Sequence, residues 1–240
     1  MIYIGFASVL AGLLFYRKSP IALSATSVLA WIILYVAHLS WMDPEITNLV
    51  PVLQSYWLVI HVAIITASYG FLALGALMAF INLLFMIFQN KKNYPFTNLT
   101  IMELTAVIEM SLIVGVYMLT IGTFLGGVWA NESWGRYWGW DSKETWALVT
   151  VLWYALVSHL RLIPVLKSKL LFNILALFSF ATVIMTYFGV NYYLTGLHSY
   201  AKGDSAALPS TVYYTLILTG VVVFLAIVNQ KMVLKGKINN

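Results

Sequence analysis

The chain has 240 residues, 62% of them hydrophobic and 9% charged, with a formal net charge of +5. Its mean hydropathy is +0.89. A soluble domain carries roughly 25% charged residues, so this composition excludes a water-solvated globule. The basic excess does not point to nucleic acid, because in a membrane protein Lys and Arg mainly encode orientation. No cysteine is present, which excludes disulfides, thiolate metal ligands and cysteine nucleophiles within the chain. Any thiol chemistry needs a thiol brought by a partner.

About 20 consecutive apolar residues span a bilayer. Seven apolar segments follow in order, roughly 1–16, 21–39, 57–88, 106–128, 145–163, 170–192 and 211–230. The expected fold is all-α: a polytopic transmembrane helical bundle of about seven helices, with residues 1–240 forming a single membrane domain. The first segment is short for a full span, and it lacks the basic n-region and cleavage pattern of a signal peptide. The third is long enough to tilt or project.

Alternating the connections between two sides places Arg17, Lys18, Lys91, Lys92, Arg161, Lys167, Lys169, Lys231, Lys235 and Lys237 on one side. Arg136, Lys143 and Lys202 fall on the other. The positive-inside rule assigns the larger group to the cytoplasm, so the amino terminus is expected outside and the carboxyl terminus inside. Three outer loops result, at about 40–56, 129–144 and 193–210. An amino terminus that starts outside without a signal suggests that the natural protein continues upstream, as one half of a fusion.

The second outer loop holds Trp129, Trp134, Tyr137, Trp138 and Trp140, with Trp146 heading the next helix. Four of the nine tryptophans thus lie within residues 129–140. An interfacial aromatic belt is the bland reading, but a belt spreads over many helix ends. A platform for a large planar ligand is the sharper one, because aromatic rings bury much area with defined stacking geometry. Asp141 with Glu144 three residues later has the form of a capping box, so Asp141 has a structural reading of its own.

Four histidines are present: His38, His61, His159 and His198. Ionisable groups at or within a membrane are costly, which makes them functional candidates. His61 lies about a turn inside the third segment, on the same helical face as Trp57. His198 lies in the third outer loop, so both reach the side of the tryptophan loop. Two histidines and an aromatic plate suit a bis-histidine haem site; a hydrogen-bonded membrane-edge histidine is the alternative for each. His159, at the inner end of the fifth segment beside Arg161, and His38, near Trp41, read first as interface anchors.

Three stretches together resemble the CcsA (ResC-like) cytochrome c biogenesis family. Trp134-Gly-Arg-Tyr-Trp-Gly-Trp-Asp141-Ser-Lys-Glu-Thr-Trp146 is similar to its tryptophan-rich WWD signature, the loop spanning residues 127–146. Leu53-Gln-Ser-Tyr-Trp-Leu-Val-Ile-His61 and Gly189-Val-Asn-Tyr-Tyr-Leu-Thr-Gly-Leu-His198-Ser-Tyr resemble its two external histidine segments. The likeness covers about 50–200, with the motifs in family order.

The resemblance implies that His61 and His198 are axial ligands of a haem b, with the loop of Trp129, Trp134, Trp138, Trp140 and Asp141 at its edge. His159 falls where the family has a histidine of a second, intramembrane haem site, whose partner comes from a CcsB (ResB-like) subunit or fused half. The implied activity is haem delivery and attachment to the Cys-X-X-Cys-His segment of apocytochrome c, as part of a holocytochrome c synthase or haem lyase. It implies an integral protein of a bacterial cytoplasmic or a thylakoid membrane, working on the periplasmic or lumenal face. No catalytic residue stands out; Asp141, Glu132 and Glu144 are candidates by location alone. A CcmC-type haem chaperone shares the WWD domain, but Asp141-Ser-Lys-Glu-Thr-Trp146 is closer to the CcsA branch. A membrane cytochrome b or a transporter fits less well, since the best histidine pair lies at an edge and no midplane site is evident.

Overall fold

The computed structural model describes residues 1–15, 17, 19–38, 55–198 and 210–238, the last five of these by backbone alone. Most of the first outer loop, 40–54, and the part of the third after His198, 199–209, lie outside the described residues.

Seven helical runs follow the apolar segments closely. They are α1 (Ile2–Phe15), α2 (Pro20–His38), α3 (Tyr56–Phe88), α4 (Tyr94–Trp134), α5 (Ser142–Leu160), a continuous run of α6 (Lys169–Ile184), a π-turn (Met185–Gly189) and α7 (Val190–Tyr193), and α8 (Ser210–Ile238). Five of them, α2, α3, α4, the α6–α7 run and α8, are long and apolar enough to cross a membrane. α1 has 14 residues. α5 is diluted by Ser142, Lys143 and Glu144 in its first turn and by His159 near its end.

The fourth helix departs most from expectation. Its apolar stretch predicts 106–128, yet α4 runs for 41 residues. Pro95 sits in its first turn, where a missing N–H costs nothing. Thr97, Thr100 and Thr105 return their hydroxyls to the carbonyls four residues back, so the polar early turns remain helical. At the other end Gly135, with φ of 71°, closes the helix through its N–H to the Asn131 carbonyl. Trp129 and Trp134 therefore belong to α4, and the loop expected at 129–144 shrinks to residues 135–141.

α3 and α4 form a long antiparallel hairpin whose contact surface is the centre of the core. Leu72, Leu74, Met78, Leu104, Ile108, Leu112 and Leu119 are buried there. At a rise of 1.5 Å per residue these helices are roughly 50 and 60 Å long, against a hydrocarbon core of roughly 30 Å, so both tilt or project past it. Near the hairpin turn, the buried Asn82 amide donates to Ile101 O, Thr105 Oγ1 and Asn173 Oδ1 at 3.0–3.2 Å. That network ties α3, α4 and α6 together. The first turns of α3, the last turns of α4, the start of α5 and the end of the α6–α7 run gather at the opposite end of the bundle.

Candidate functional site

At that end lies a cavity of about 190 Å³. α3 supplies His61, Ile65 and Tyr69; α4 supplies Gly126 and Trp129; the short loop adds Tyr137 and Trp138; α5 gives Lys143 and Glu144. Thr186 and Tyr187 of the π-turn and His198 complete the wall.

The two histidines share one ring as neighbour. Trp129 stacks on His61 with centroids 5.3 Å apart and meets His198 at 5.5 Å. Trp134 stands edge-on to both Trp129, at 4.7 Å, and His198, at 4.9 Å. Gly126 leaves room for the His61 ring beside α4: a Cβ there would sit a tight 3.3 Å from His61 Cδ2.

Each imidazole is fixed through one nitrogen. His61 Nδ1 is 2.8 Å from the Trp57 carbonyl, one turn back in α3. A carbonyl only accepts, so Nδ1 carries the proton. His198 Nδ1 donates in the same way to Asp141 Oδ2 at 2.8 Å. In both rings Nε2 is then the unprotonated nitrogen, the form in which histidine binds a metal. Carbonyl or carboxylate bonding of the second nitrogen is the usual support of a metal-binding imidazole.

Asp141 is the joint between α5 and the segment bearing His198. One oxygen accepts from Leu197 N–H at 2.6 Å, and the other from Lys143 N–H at 3.2 Å as well as from His198. Gly196 permits the approach, since a Cβ there would overlap Asp141 Oδ1. Ser142 Oγ adds a bond to Thr195 O at 2.7 Å. Burial by itself raises the Asp141 pKa, but the bonds from His198, Leu197 and Lys143 outweigh it and hold the carboxyl below its ordinary value. Burial lowers the His198 pKa, and the opposing pull of Asp141 does not restore it. The pair at neutral pH is thus a carboxylate and a neutral imidazole, held by a hydrogen bond.

The capping box expected from Asp141 and Glu144 is present. Glu144 Oε2 accepts from Gly139 N–H at 2.8 Å and Asp141 N–H at 3.2 Å. Those two amides flank Trp140, which has a φ of 56°, rare for a bulky residue and strained. The Glu144 clamp accounts for how the loop holds that conformation. Glu132 accepts from Ser55 Oγ at 2.7 Å, pinning the start of α3 to the end of α4.

The eight residues singled out from the sequence separate into three groups. His61, His198, Trp129 and Trp138 line the cavity. Trp134 and Asp141 stand behind His198 and touch it. Trp140 and His159 are outside: Trp140 is 71% exposed with its ring edge-on to Trp138 at 5.8 Å. His159 is exposed at the far end of α5 with Nδ1 on the Ala155 carbonyl, roughly 25 Å along the helix from Asp141.

Sequence reasoning missed Lys143, Gly126 and the π-turn residues as wall. Lys143 had a visible signal, a cation in a helix's first turn where the dipole opposes it. Thr186 and Tyr187 had none. They reach the wall through the π-turn, a helix irregularity common at functional sites, which Thr150 and Thr186 brace by donating to the Thr182 carbonyl.

Among the described residues no group of three or more His, Asp or Glu side chains is placed to hold a bare metal ion. Two imidazoles suit instead a metal that arrives with most of its ligands already in place.

The sequence model of the cytochrome c assembly protein family matches residues 1–198. The chain belongs to that family. It is similar to Protein NrfI of Wolinella succinogenes, 53% identical over 204 residues, which make up 85% of this chain and 22% of NrfI. It is similar also to the cytochrome c biogenesis protein CcsA of Prochlorococcus marinus strain AS9601, 35% identical over 195 residues, 70% of this chain and 62% of that protein. With CcsA of Chlamydomonas reinhardtii it shares 43% identity over 158 residues, 65% of this chain and 44% of the other. The chain therefore spans less than two thirds of each of these relatives. Its cavity lies within the matched residues.

Proposed function

We propose that this chain binds haem b between His61 and His198 at the outer face of the membrane and presents it for attachment to apocytochrome c, as the CcsA component of a cytochrome c synthase. The observation that carries the reading is the pair of imidazoles, each locked through Nδ1, in the wall of one aromatic cavity. Histidine is a ligand of haem iron, and a porphyrin would supply the remaining nitrogens, which suits two imidazoles with no third His, Asp or Glu grouped with them among the described residues. The cavity of about 190 Å³ is smaller than the roughly 300–1,000 Å³ of pockets that enclose a drug-sized ligand. A macrocycle would need more room than these walls enclose; Trp138, in the lining, would help to hold it, and Trp140 lies on the exposed side of the loop.

The haem contributes the vinyl groups that become thioethers, each thiol adding its sulfur and hydrogen across one carbon–carbon double bond without an oxidant. This cysteine-free chain leaves both thiols to the acceptor. Its own residues bind and orient: the histidines fix the iron, Asp141 fixes His198, and the tryptophans exclude water. Positioning of this kind removes a large share of a barrier. The excess of Lys and Arg at the opposite end of the helices supports a site on the outer side, and the likeness to CcsA supports a bacterial cytoplasmic or a thylakoid membrane. A CcsB-type subunit or fused half is the proposed partner, and the exposed His159 is the residue proposed to meet it at a second haem site.

The test is the visible spectrum of the purified chain titrated with haem. A bis-histidine spectrum that His61→Ala and His198→Ala each weaken supports the reading. Wild-type spectra and haem content in both variants would sink the ligand assignment.

A further inference from the structure

Lys143 is a cation in an unfavourable place. It occupies the first turn of α5, where the helix dipole disfavours positive charge, and its half-buried side chain lines the cavity. Its ammonium donates to Asn191 Oδ1 at 3.0 Å, a neutral acceptor. Among the described residues the ion pairs are Arg161 with Glu109 and His198 with Asp141, so Lys143 has no carboxylate within salt-bridge distance.

Both nearby acids are already engaged. Asp141 holds His198, Leu197 and the Lys143 backbone N–H, and Glu144 holds the loop amides of Gly139 and Asp141. Among the described residues that line this largely apolar cavity, Lys143 is the only Lys or Arg. Arg136, the other cation of the loop, lies against Gly139 instead. A partly desolvated ammonium that feels Asp141 only from beyond salt-bridge distance is costly, and an anion on the ligand would offset that cost.

We infer that Lys143 is the carboxylate-binding group of this site, taking an acidic edge of the ligand while His61 and His198 take its metal. The inference rests on the haem reading and names the part of the ligand that this chain recognises by charge. It makes the site selective for a tetrapyrrole with free carboxylates over an esterified one.

The experiment compares haem with haem dimethyl ester, titrated into the full chain in detergent and followed by the Soret band. The wild type is expected to bind haem about tenfold or more tighter than the ester, the scale of one charge-assisted hydrogen bond. Lys143→Met should reduce haem affinity to that of the ester, and Lys143→Arg should keep the preference. Equal binding of the two ligands by the wild type would overturn the role of Lys143 and leave the haem site standing. So would a preference that survives Lys143→Met. Failure of the wild type to bind either ligand would overturn the haem reading and this inference with it.

Discussion

Asp141→Asn isolates the chemistry of the site from the fold that carries it. Asparagine is about as good a helix N-cap as aspartate, and even where its amide turns away from Lys143 N–H the loss is that of one cap bond. What changes is the oxygen shared by His198 Nδ1 at 2.8 Å and Lys143 N–H at 3.2 Å. With the remaining oxygen kept on Leu197 N–H, the amide NH2 faces two donors. His198 relieves the clash by moving its proton to Nε2 so that Nδ1 accepts. That tautomer no longer offers Nε2 to a metal. Turning the amide over sets its NH2 against Leu197 N–H instead, which breaks a bond of 2.6 Å. Loss of such a supporting partner typically costs 10–100-fold in metal affinity, or about 1.4–2.7 kcal/mol. Haem titration by absorbance, paired with thermal unfolding of the same preparations, reads both quantities. The expected result is a 10–100-fold loss of haem affinity with unfolding shifted by no more than about 2 kcal/mol, the upper cost of one lost cap bond. Affinity within twofold of wild type would refute the view that Asp141 sets the tautomer of His198.

A bis-imidazole site needs both rings neutral. Because burial holds the His198 pKa below its ordinary 6.5, haem affinity should stay level as pH falls to about that value and collapse only below it; a decline beginning above pH 7 would contradict this. Asp141 is also lowered, below 3.8, so its share of stability is present above that value and disappears as pH falls through the folded-state pKa, which acid-unfolding curves of wild type and Asp141→Asn should show. Trp138→Ala should weaken haem binding more than Trp140→Ala, since Trp138 lines the cavity and Trp140 does not; the reverse order in the same titration would place the ligand on the outer face of the loop. Asn82→Ala removes three hydrogen bonds at the opposite end, each worth about 0.6 kcal/mol between membrane helices. It should lower resistance to denaturing detergent by about 2 kcal/mol while haem affinity stays within twofold.

Much of this protein is legible in its sequence because a bilayer leaves few choices. Backbone groups in hydrocarbon must be bonded within their own segment, so seven apolar stretches become seven helical runs. The Asp141–Glu144 cap is equally local: N-cap geometry follows from sequence spacing alone, and the structure shows it. The loop motif, read together with the two histidine segments, also led to the right family.

Distance along the chain is where that legibility stops. Whether His61 and His198 share a cavity depends on how α3, α4 and the α6–α7 run pack. That packing turns on side-chain volumes, such as the missing Cβ of Gly126, which composition does not record. The extent of α4 was decided in the same way. Trp129 and Trp134 look like loop residues beside their aromatic neighbours, yet helical hydrogen bonds and burial of Trp129 against both imidazoles carry the helix through to Gly135. Asp141, read from sequence as a cap, gained a second task because the fold returns Leu197 and His198 to it from 56 and 57 residues away. The sequence determines the helices and their caps, whose causes lie within a turn or two. Only the tertiary structure decides that Asp141 holds His198 through Nδ1 and that His61 and His198 line one cavity, because those groups meet only after the bundle has closed.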